Sequence, residues 1–339
     1  MTLYDVMNVG LEPVRHSVKP WMPCRRVTLF GGHWGIGKSS LALAIAAHVV
    51  CGRSFAGMEV ERSPVLFVSL EDKANILRFR LRRIIEAYRL PAAQVLAGLR
   101  VLDGTHRVAA LMTEGDSFDA VPIFTPAFRE LSGHAGGAGL IVIDNASDAF
   151  GANENSRRTV RTFVRGLAAV AREHNAAVVL LAHIGKAAAK GSSNGNSYSG
   201  STDWYNSAGS RLALLEEDGG ILPTHEKANL SARAEPVPIT FLDGVPASEA
   251  GTQGDGVTAE DLDRSEIIRV MKAAHDAGIS VPASTVSGAH SVMKASDSLT
   301  EFGVSPESSA PHAPLLRLFV SCTFGAWNSR RSSEKSANA

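Results

Sequence analysis

The sequence has few cysteines, no long apolar run and no net charge. Its three cysteines, Cys24, Cys51 and Cys322, are odd in number and far apart, and none belongs to a C-x-x-C pair. This pattern argues against disulfides and a structural zinc, and it favours a reducing compartment. The N-terminus lacks the apolar core of a signal peptide, and no apolar run approaches the roughly 20 residues of a membrane span. We therefore expect a soluble, cytoplasmic protein without a membrane partner.

The charges balance, with 34 Lys and Arg against 34 Asp and Glu. Long-range attraction to nucleic acid or to an anionic membrane is therefore not a property of the whole molecule, although a local basic loop is not excluded. The 339 residues suffice for one large α/β domain with a small appendage, or for two domains.

Residues 32–39 organise the rest of the chain, because they fit the phosphate-loop pattern G-x-x-x-x-G-K-S. In such a loop the glycines let backbone N–H groups face phosphate oxygens, the lysine attracts the β- and γ-phosphates, and the serine ligates Mg²⁺. A β-type run at 26–30 precedes the loop, and a run of strong helix formers at 41–47 follows it. The positive N-terminal end of the predicted helix therefore faces the anion. The alternative, a glycine-rich turn that binds nothing, would leave a buried lysine without an anion, which is costly. We predict nucleotide binding by Gly32, Gly35, Ile36, Gly37, Lys38, Ser39 and Ser40.

Apolar strands and amphipathic helices alternate after the loop. Beyond the strand before the loop, apolar buried strands are predicted at 65–70, 140–144 and 178–183, and a short strand at 100–102. Helices are predicted at 74–88, 124–131 and 156–174. The alternation predicts an α/β fold with a mostly parallel, doubly wound sheet. Three closing strands, at 211–215, 221–230 and 237–242, are expected to extend this sheet antiparallel.

Composition also suggests domain limits. Residues 1–25 contain Pro13, Pro20 and Pro23 and show no clean periodicity, so they are interpreted as a lead-in segment. The large domain is expected at 26–243 and a Gly/Ala/Pro linker at 244–258. Residues 259–339 are expected to form a small helical appendage with a poorly ordered tail.

Three polar residues close predicted strands, at the edge where such sheets bind ligands. Asp144 is expected to hold Mg²⁺ directly or through water, the alternative being a cap on the following turn. Glu71 is expected next to the phosphate loop, where it accepts a proton from the water that attacks the γ-phosphate, unless it or Asp72 merely caps the next helix. His183 either hydrogen-bonds the γ-phosphate and reports hydrolysis, or is structural.

The chain resembles the AAA_25-type, RecA-like ATPases, whose best-known member class is the plasmid RepA-type hexameric replicative helicase. Besides the loop, the resemblance is carried by residues 67–72 (FVSLED), 140–145, 180–186 (LLAHIGK) and 199–204 (SGSTDW). It covers roughly residues 15–245. It implies Lys38 and Ser39 as the Walker A pair, Glu71 as catalytic base, Asp144 as Walker B acid and His183 as strand-tip sensor, with Mg-ATP as the nucleotide.

The same resemblance implies a ring of subunits with ATP at each interface. Arg211 matches the family's arginine finger, and Lys227 resembles the trans-acting basic residue of related hexamers. The alternative for Arg211 is a simple surface residue of a strand. Single-stranded DNA would contact channel loops at 185–203 and 151–161. Trp34 departs from the family, which usually has a small residue there, and should be tolerated if its side chain points outward.

These observations favour a RecA-fold, Mg-ATP-hydrolysing motor, ring-forming and acting on single-stranded DNA in plasmid- or phage-type replication. Two alternatives stay open at this point. One is a RecA-like ATPase that loads or remodels a protein partner without unwinding. The other is a binding module in which ATP only switches a DNA- or protein-binding loop.

Overall fold

The computed structural model describes residues 13–106, 110–114, 121–183, 203–217, 220–242 and 244–248. The strands are β1 (His16–Val18), β2 (Met22–Pro23), β3 (Val27–Gly32), β4 (Val65–Ser69), β5 (Leu99–Asp103), β6 (Met112–Thr113), β7 (Ile123–Phe124), β8 (Leu140–Asp144), β9 (Phe150–Gly151), β10 (Ala177–His183), β11 (Ser210–Glu217), β12 (Gly220–Ala228), β13 (Thr240–Leu242) and β14 (Val245–Ala247). The helices are α1 (Lys38–Cys51), α2 (Ala74–Ala87), α3 (Ala92–Gly98), α4 (Pro126–His134), α5 (Ala146–Ala149), α6 (Arg157–Glu173) and α7 (Asp203–Ser207).

A seven-stranded sheet forms the centre, in the order β12-β11-β3-β10-β8-β4-β5. The pairs from β11 through to β5 are parallel, and β12 joins β11 antiparallel. Alternate residues of a strand enter different cores: Val65 and Phe67 of β4 face the core that contains α1, whereas Leu66 and Val68 face the core that contains α6. Burial on both faces explains the continuous apolar runs of these strands. The fold is the predicted RecA-like α/β core.

The helices on the two faces differ as their sequences predict. Helix α1 is buried along almost its whole length, because Leu, Ala, Ile and Val occupy all of its sides. Helix α6 is amphipathic, with a buried stripe that includes Phe163 and Leu167 and an arginine-rich opposite side. It begins after Ser156, whose hydroxyl accepts a hydrogen bond from the backbone N–H of Thr159.

The closing strands differ in part from the prediction. We expected three antiparallel additions to the sheet, but β11 lies parallel to β3 and only β12 extends the sheet antiparallel. Strand β13 pairs with β14 in a separate hairpin. A further small sheet joins β7, β6 and β9.

The end of the predicted lead-in segment is part of the core. Strands β1 and β2 form a hairpin, and Val18, Trp21 and Met22 are buried with the residues around α1. The first residues of the predicted 244–258 linker are not a linker, because β14 is buried in the core around α1. Residues 249–258 and the whole of 259–339 lie outside the described residues. No helix in the described ranges is long and apolar enough to cross a membrane.

Candidate active site

The phosphate loop connects the end of β3 at Gly32 to the start of α1 at Lys38. Gly35 and Gly37 have φ angles of 76° and 90°, which residues with a side chain rarely adopt. At Gly32 an added Cβ would lie 2.8 Å from Cγ2 of Ile36. The glycines of the motif are therefore required by backbone conformation and by close approach, and the loop opens at the carboxyl edge of the sheet.

The Lys38 ammonium lies inside the loop. It donates hydrogen bonds to the carbonyl oxygens of Gly32 (3.0 Å) and His33 (2.9 Å). Burial lowers the pKa of Lys38, while the carboxylates of Asp144 and Glu71 oppose that shift. A cation held among backbone carbonyls and facing two acids is suited to bind an anion together with a metal ion.

Asp144 ends β8 and is 1% exposed. Burial raises the pKa of Asp144 to about 6, and Glu71 and Asp72 add to the rise. The Ser39 hydroxyl lies near enough to lower the pKa of Asp144, although the contact falls short of full hydrogen-bond geometry. Both carboxylate oxygens are buried without a hydrogen-bond partner in the described part of the chain. A buried carboxylate of this kind fits a bound cation.

Ser39 and Asp144 therefore fit the two protein ligands that a nucleotide-bound Mg²⁺ needs. Within the described ranges, no three His, Cys, Asp or Glu side chains come together as a metal cage. A nucleotide-bound Mg²⁺ takes most of its ligands from phosphate oxygens and water.

Glu71 lies just beyond β4, which two strands, β10 and β8, separate from β3. The expectation that Glu71 lies beside the loop is thus not met by strand order, yet its charge acts on both Lys38 and His183. The helix-cap alternative does not apply, because the N-cap residue of α2 is Lys73, and the N–H of Ala74 donates to Asp103 (3.0 Å). Glu71 is exposed at the carboxyl edge of the sheet.

Asn145, which the sequence pattern did not single out, fixes Glu71. Its amide nitrogen donates a hydrogen bond of 2.6 Å to the Glu71 carboxylate, and its amide oxygen accepts from the N–H of Asp148 at 3.1 Å. Asn145 is 2% exposed. The sequence contained a signal for Asn145, because it directly follows Asp144 at the end of a predicted strand, and the other candidate site residues also lie at strand ends.

His183 ends β10, opposite Gly32 of β3. Its Nδ1 lies 3.2 Å from the Lys38 ammonium, and its ring stacks on Trp34 with centroids 3.6 Å apart. Burial and the charge of Lys38 lower the pKa of His183, and Glu71 opposes the shift. Trp34 does point outward as expected, being 65% exposed, but one face of its indole is in contact with His183.

A second residue missed from sequence is Phe241 of β13. A Cβ at Gly37 would lie 2.9 Å from ring atoms Cε1 and Cε2 of Phe241, so the ring lies directly on the phosphate loop. The contact joins two segments far apart in the chain, and no local pattern pointed to it.

Arg211 and Lys227 lie apart from this cluster. They pair across β11 and β12, and Arg211 is level with Leu29, three residues before the tip of β3, or roughly 10 Å back from the edge. The Arg211 side chain is 1% exposed and forms an ion pair with Glu226. Lys227 donates to the carbonyl of Asn206 (3.0 Å), and burial, followed by the charge of Arg211, lowers the pKa of Lys227.

Of the two segments expected to contact DNA, 185–203 lies outside the described residues except for Asp203. In the segment 151–161, Arg157 and Arg161 both pair with the buried Asp203, at 3.6 and 2.8 Å. Arg158 is exposed beside them. Asp203 thus offsets part of the positive charge of this segment.

Comparison with known proteins agrees with this geometry. The AAA_25 family model, described as an AAA domain, matches residues 3–189, more than half of the chain. No curated protein matches the sequence.

Proposed function

The chain belongs to the AAA-domain family of P-loop ATPases, and on that premise we propose that it hydrolyses Mg-ATP. The site lies at the carboxyl edge of the sheet and is formed by Lys38, Glu71, Asp144 and His183. The observation that carries the proposal is the convergence of these four groups from β3–α1, β4, β8 and β10 on one phosphate loop. Lys38 interacts electrostatically with Asp144, Glu71 and His183, and Glu71 also interacts with Asp144 and His183, so all five contacts link different elements.

Each of these residues has a different role in binding and hydrolysis. The loop N–H groups and the Lys38 ammonium bind the β- and γ-phosphates, and the ammonium exchanges its carbonyl contacts for phosphate oxygens. Glu71 accepts the proton of the attacking water, and Asn145 holds the carboxylate in place. His183 contacts the γ-phosphate. The Mg²⁺ ion, held by Ser39 and Asp144, would neutralise charge on the phosphate oxygens.

The finer proposal is a ring-forming helicase that acts on single-stranded DNA. Its support is the resemblance of the strand-tip motifs to the RepA-type class, and the presence of Arg211 and Lys227 together on β11 and β12. Both lie away from their own chain's phosphate loop, and Arg211 is buried against Glu226, so action on a neighbouring subunit's ATP requires the Arg211 side chain to leave that ion pair. The exposed Arg158 is a candidate for contact with DNA phosphates.

Two rivals remain as alternative outcomes: a protein-remodelling ATPase, and an ATP-switched binding module. Glu71→Gln separates the module from both enzymes. If Glu71 is the base, the variant binds Mg-ATP like the wild type and loses roughly 10²–10⁴-fold in turnover. The matched control is Glu86→Gln on the exposed face of α2, which removes a carboxylate outside the site. Equal turnover of Glu71→Gln and wild type contradicts the proposed catalytic role.

The DNA-directed proposal is tested by ATP hydrolysis with and without single-stranded DNA, beside sedimentation of the same sample. A ring-sized species with strong stimulation supports the helicase. A monomer with DNA-independent turnover contradicts it and favours the protein-remodelling ATPase.

A further inference from the structure

Trp34 occupies the phosphate loop without an evident part in phosphate binding, which the backbone and Lys38 perform. The indole is 65% exposed, yet it is not simply a surface residue. It stacks on the imidazole of His183 with the ring planes 14° apart and the centroids 3.6 Å apart. A near-parallel stack at this distance restrains the plane of the imidazole.

The remaining contacts of His183 fix its protonation pattern. An ammonium has only donors, so the Lys38 contact at 3.2 Å makes Nδ1 of His183 the acceptor. In the neutral ring the proton is then on Nε2. This Nε2 is buried and has no hydrogen-bond partner within the described part of the chain. A buried donor left unpaired in this part of the chain is suited to an anionic acceptor.

Phosphate binding changes which contact holds this ring. When Lys38 turns to phosphate oxygens, it gives up its contact with Nδ1, and the imidazole loses the partner that set its orientation. The indole stack does not involve the ammonium, so it persists through the exchange.

We propose that Trp34 is a positioning residue that holds the His183 imidazole in place while its Nε2–H contacts the γ-phosphate of ATP. This inference rests on the proposed ATP hydrolysis, and it assigns the indole a task in turnover rather than in nucleotide affinity. Lys38 and Trp34 both hold the ring before ATP binds, and Trp34 alone holds it afterwards.

The test uses the full chain and four variants: Trp34→Phe, Trp34→Ala, His183→Ala and the double variant Trp34→Ala/His183→Ala. We expect Trp34→Ala to lower kcat roughly three- to tenfold, the size of a lost aromatic pair, with KM for Mg-ATP within about twofold. Trp34→Phe keeps a stacking ring and should stay within about twofold of wild type. In the His183→Ala background, Trp34→Ala should have no further effect. Phe79→Ala on α2 is the matched control, because it removes another ring that is mostly exposed (62%).

A spectroscopic readout separates positioning from general stability. The emission of Trp34 is the difference between wild type and Trp34→Phe, and in the His183→Ala background it is the difference between His183→Ala and the double variant. The two difference spectra should not be the same, because the stacking partner is gone in His183→Ala. The melting temperatures of the variants should stay close to that of the wild type.

Three results would overturn the proposal alone, provided that the wild type hydrolyses ATP. The first is an unchanged kcat in Trp34→Ala. The second is a raised kcat in Trp34→Ala, which would mean that the indole blocks the site. The third is that Trp34→Ala lowers kcat by the same factor in the wild type and in His183→Ala. A wild-type protein that does not hydrolyse Mg-ATP would overturn the proposed function and this inference together.

Discussion

Asn145 and Glu71 are joined across two adjacent strand tips by a hydrogen bond of 2.6 Å from amide to carboxylate. The assignment of the amide is not ambiguous, because the other end of Asn145 accepts a hydrogen bond from the N–H of Asp148. The residue thus connects the proposed base to the first turn of α5. It is more buried than the carboxylate it holds.

Asn145→Asp should therefore impair turnover without unfolding the protein. Aspartate keeps the cap on α5 but places a carboxylate against Glu71, which repels the base and moves it. We expect kcat to fall about 10- to 100-fold, part of the contribution of a general base, with KM for Mg-ATP little changed. Steady-state kinetics and thermal melting measure both. Asn145→Ala is the companion variant, and it should also lose the roughly 1 kcal/mol of the cap. Full kcat in Asn145→Asp would contradict the positioning of Glu71 by Asn145.

Gly37→Ala should abolish Mg-ATP binding through two separable effects. The new Cβ collides with the ring of Phe241, and alanine is strained at a φ of 90°. Adding Phe241→Ala removes the collision only, so the double variant should recover part of the stability and keep about 1–2 kcal/mol of backbone strain. Thermal melting and Mg-ATP titration follow the two effects. Gly133→Ala in α4 is the control, because a Cβ there meets nothing within 4 Å. Wild-type binding by Gly37→Ala would show that the loop has another conformation.

Arg211 requires a test that separates folding from catalysis, since it is buried and paired with Glu226. If it acts on a neighbour's ATP, Arg211→Ala and Lys38→Ala should each lose at least about 10³-fold in turnover. An equimolar mixture assembled together should recover roughly a quarter of wild-type activity, because one interface in four pairs an intact Lys38 with an intact Arg211. Mixing Lys38→Ala with a Lys38→Ala/Arg211→Ala double variant is the negative control. Absence of recovery in a folded, assembled mixture would count against the arginine finger.

His48 should make the folded state sensitive to mild acid. It lies in α1, where its Nδ1 lies 2.8 Å from the carbonyl of Ala44 and its ring meets Phe55 and Tyr88 edge-on. Burial lowers the pKa of His48 to about 4. The unfolded chain binds this proton near pH 6.5, so stability contributed by the neutral ring is present above pH 6.5 and is lost as the pH falls towards 4.

The expected loss is on the order of 3 kcal/mol in the free energy of unfolding between pH 7 and pH 4. Urea unfolding at several pH values measures it. His48→Gln should flatten the dependence, and His106→Gln, which removes an exposed imidazole, should leave the dependence intact. An unchanged slope in His48→Gln would contradict the assignment.

The sequence predicted those helices and strands well whose pattern depends only on the residues of that one element. Strand β8 and helix α6 were predicted nearly to the residue, because a fully apolar run and a 3.6-residue stripe depend only on which faces are buried. The phosphate loop was recognised because its glycines and lysine must be contiguous.

Relations between elements were harder to predict. No local pattern states that β10 and β8 intervene between β3 and β4, or that β11 enters the sheet parallel to β3. Strand order depends on how the connections cross the sheet faces, which involves the whole chain. The contact of Phe241 with Gly37 has the same origin: it joins the first strand–helix unit to a hairpin far along the chain.

The hairpin before the phosphate loop sets a practical limit on how far the domain can be shortened. The carbonyl oxygen of Trp21 accepts hydrogen bonds from the hydroxyls of Ser210 (2.7 Å) and Thr28 (3.4 Å), and its indole fills the core. A fragment beginning at residue 26 would contain every phosphate-binding residue, but would expose the core that Val18, Trp21 and Met22 cover and would remove one hydrogen-bond partner of Ser210, directly before Arg211. A shortened domain that keeps this hairpin therefore begins at or before His16.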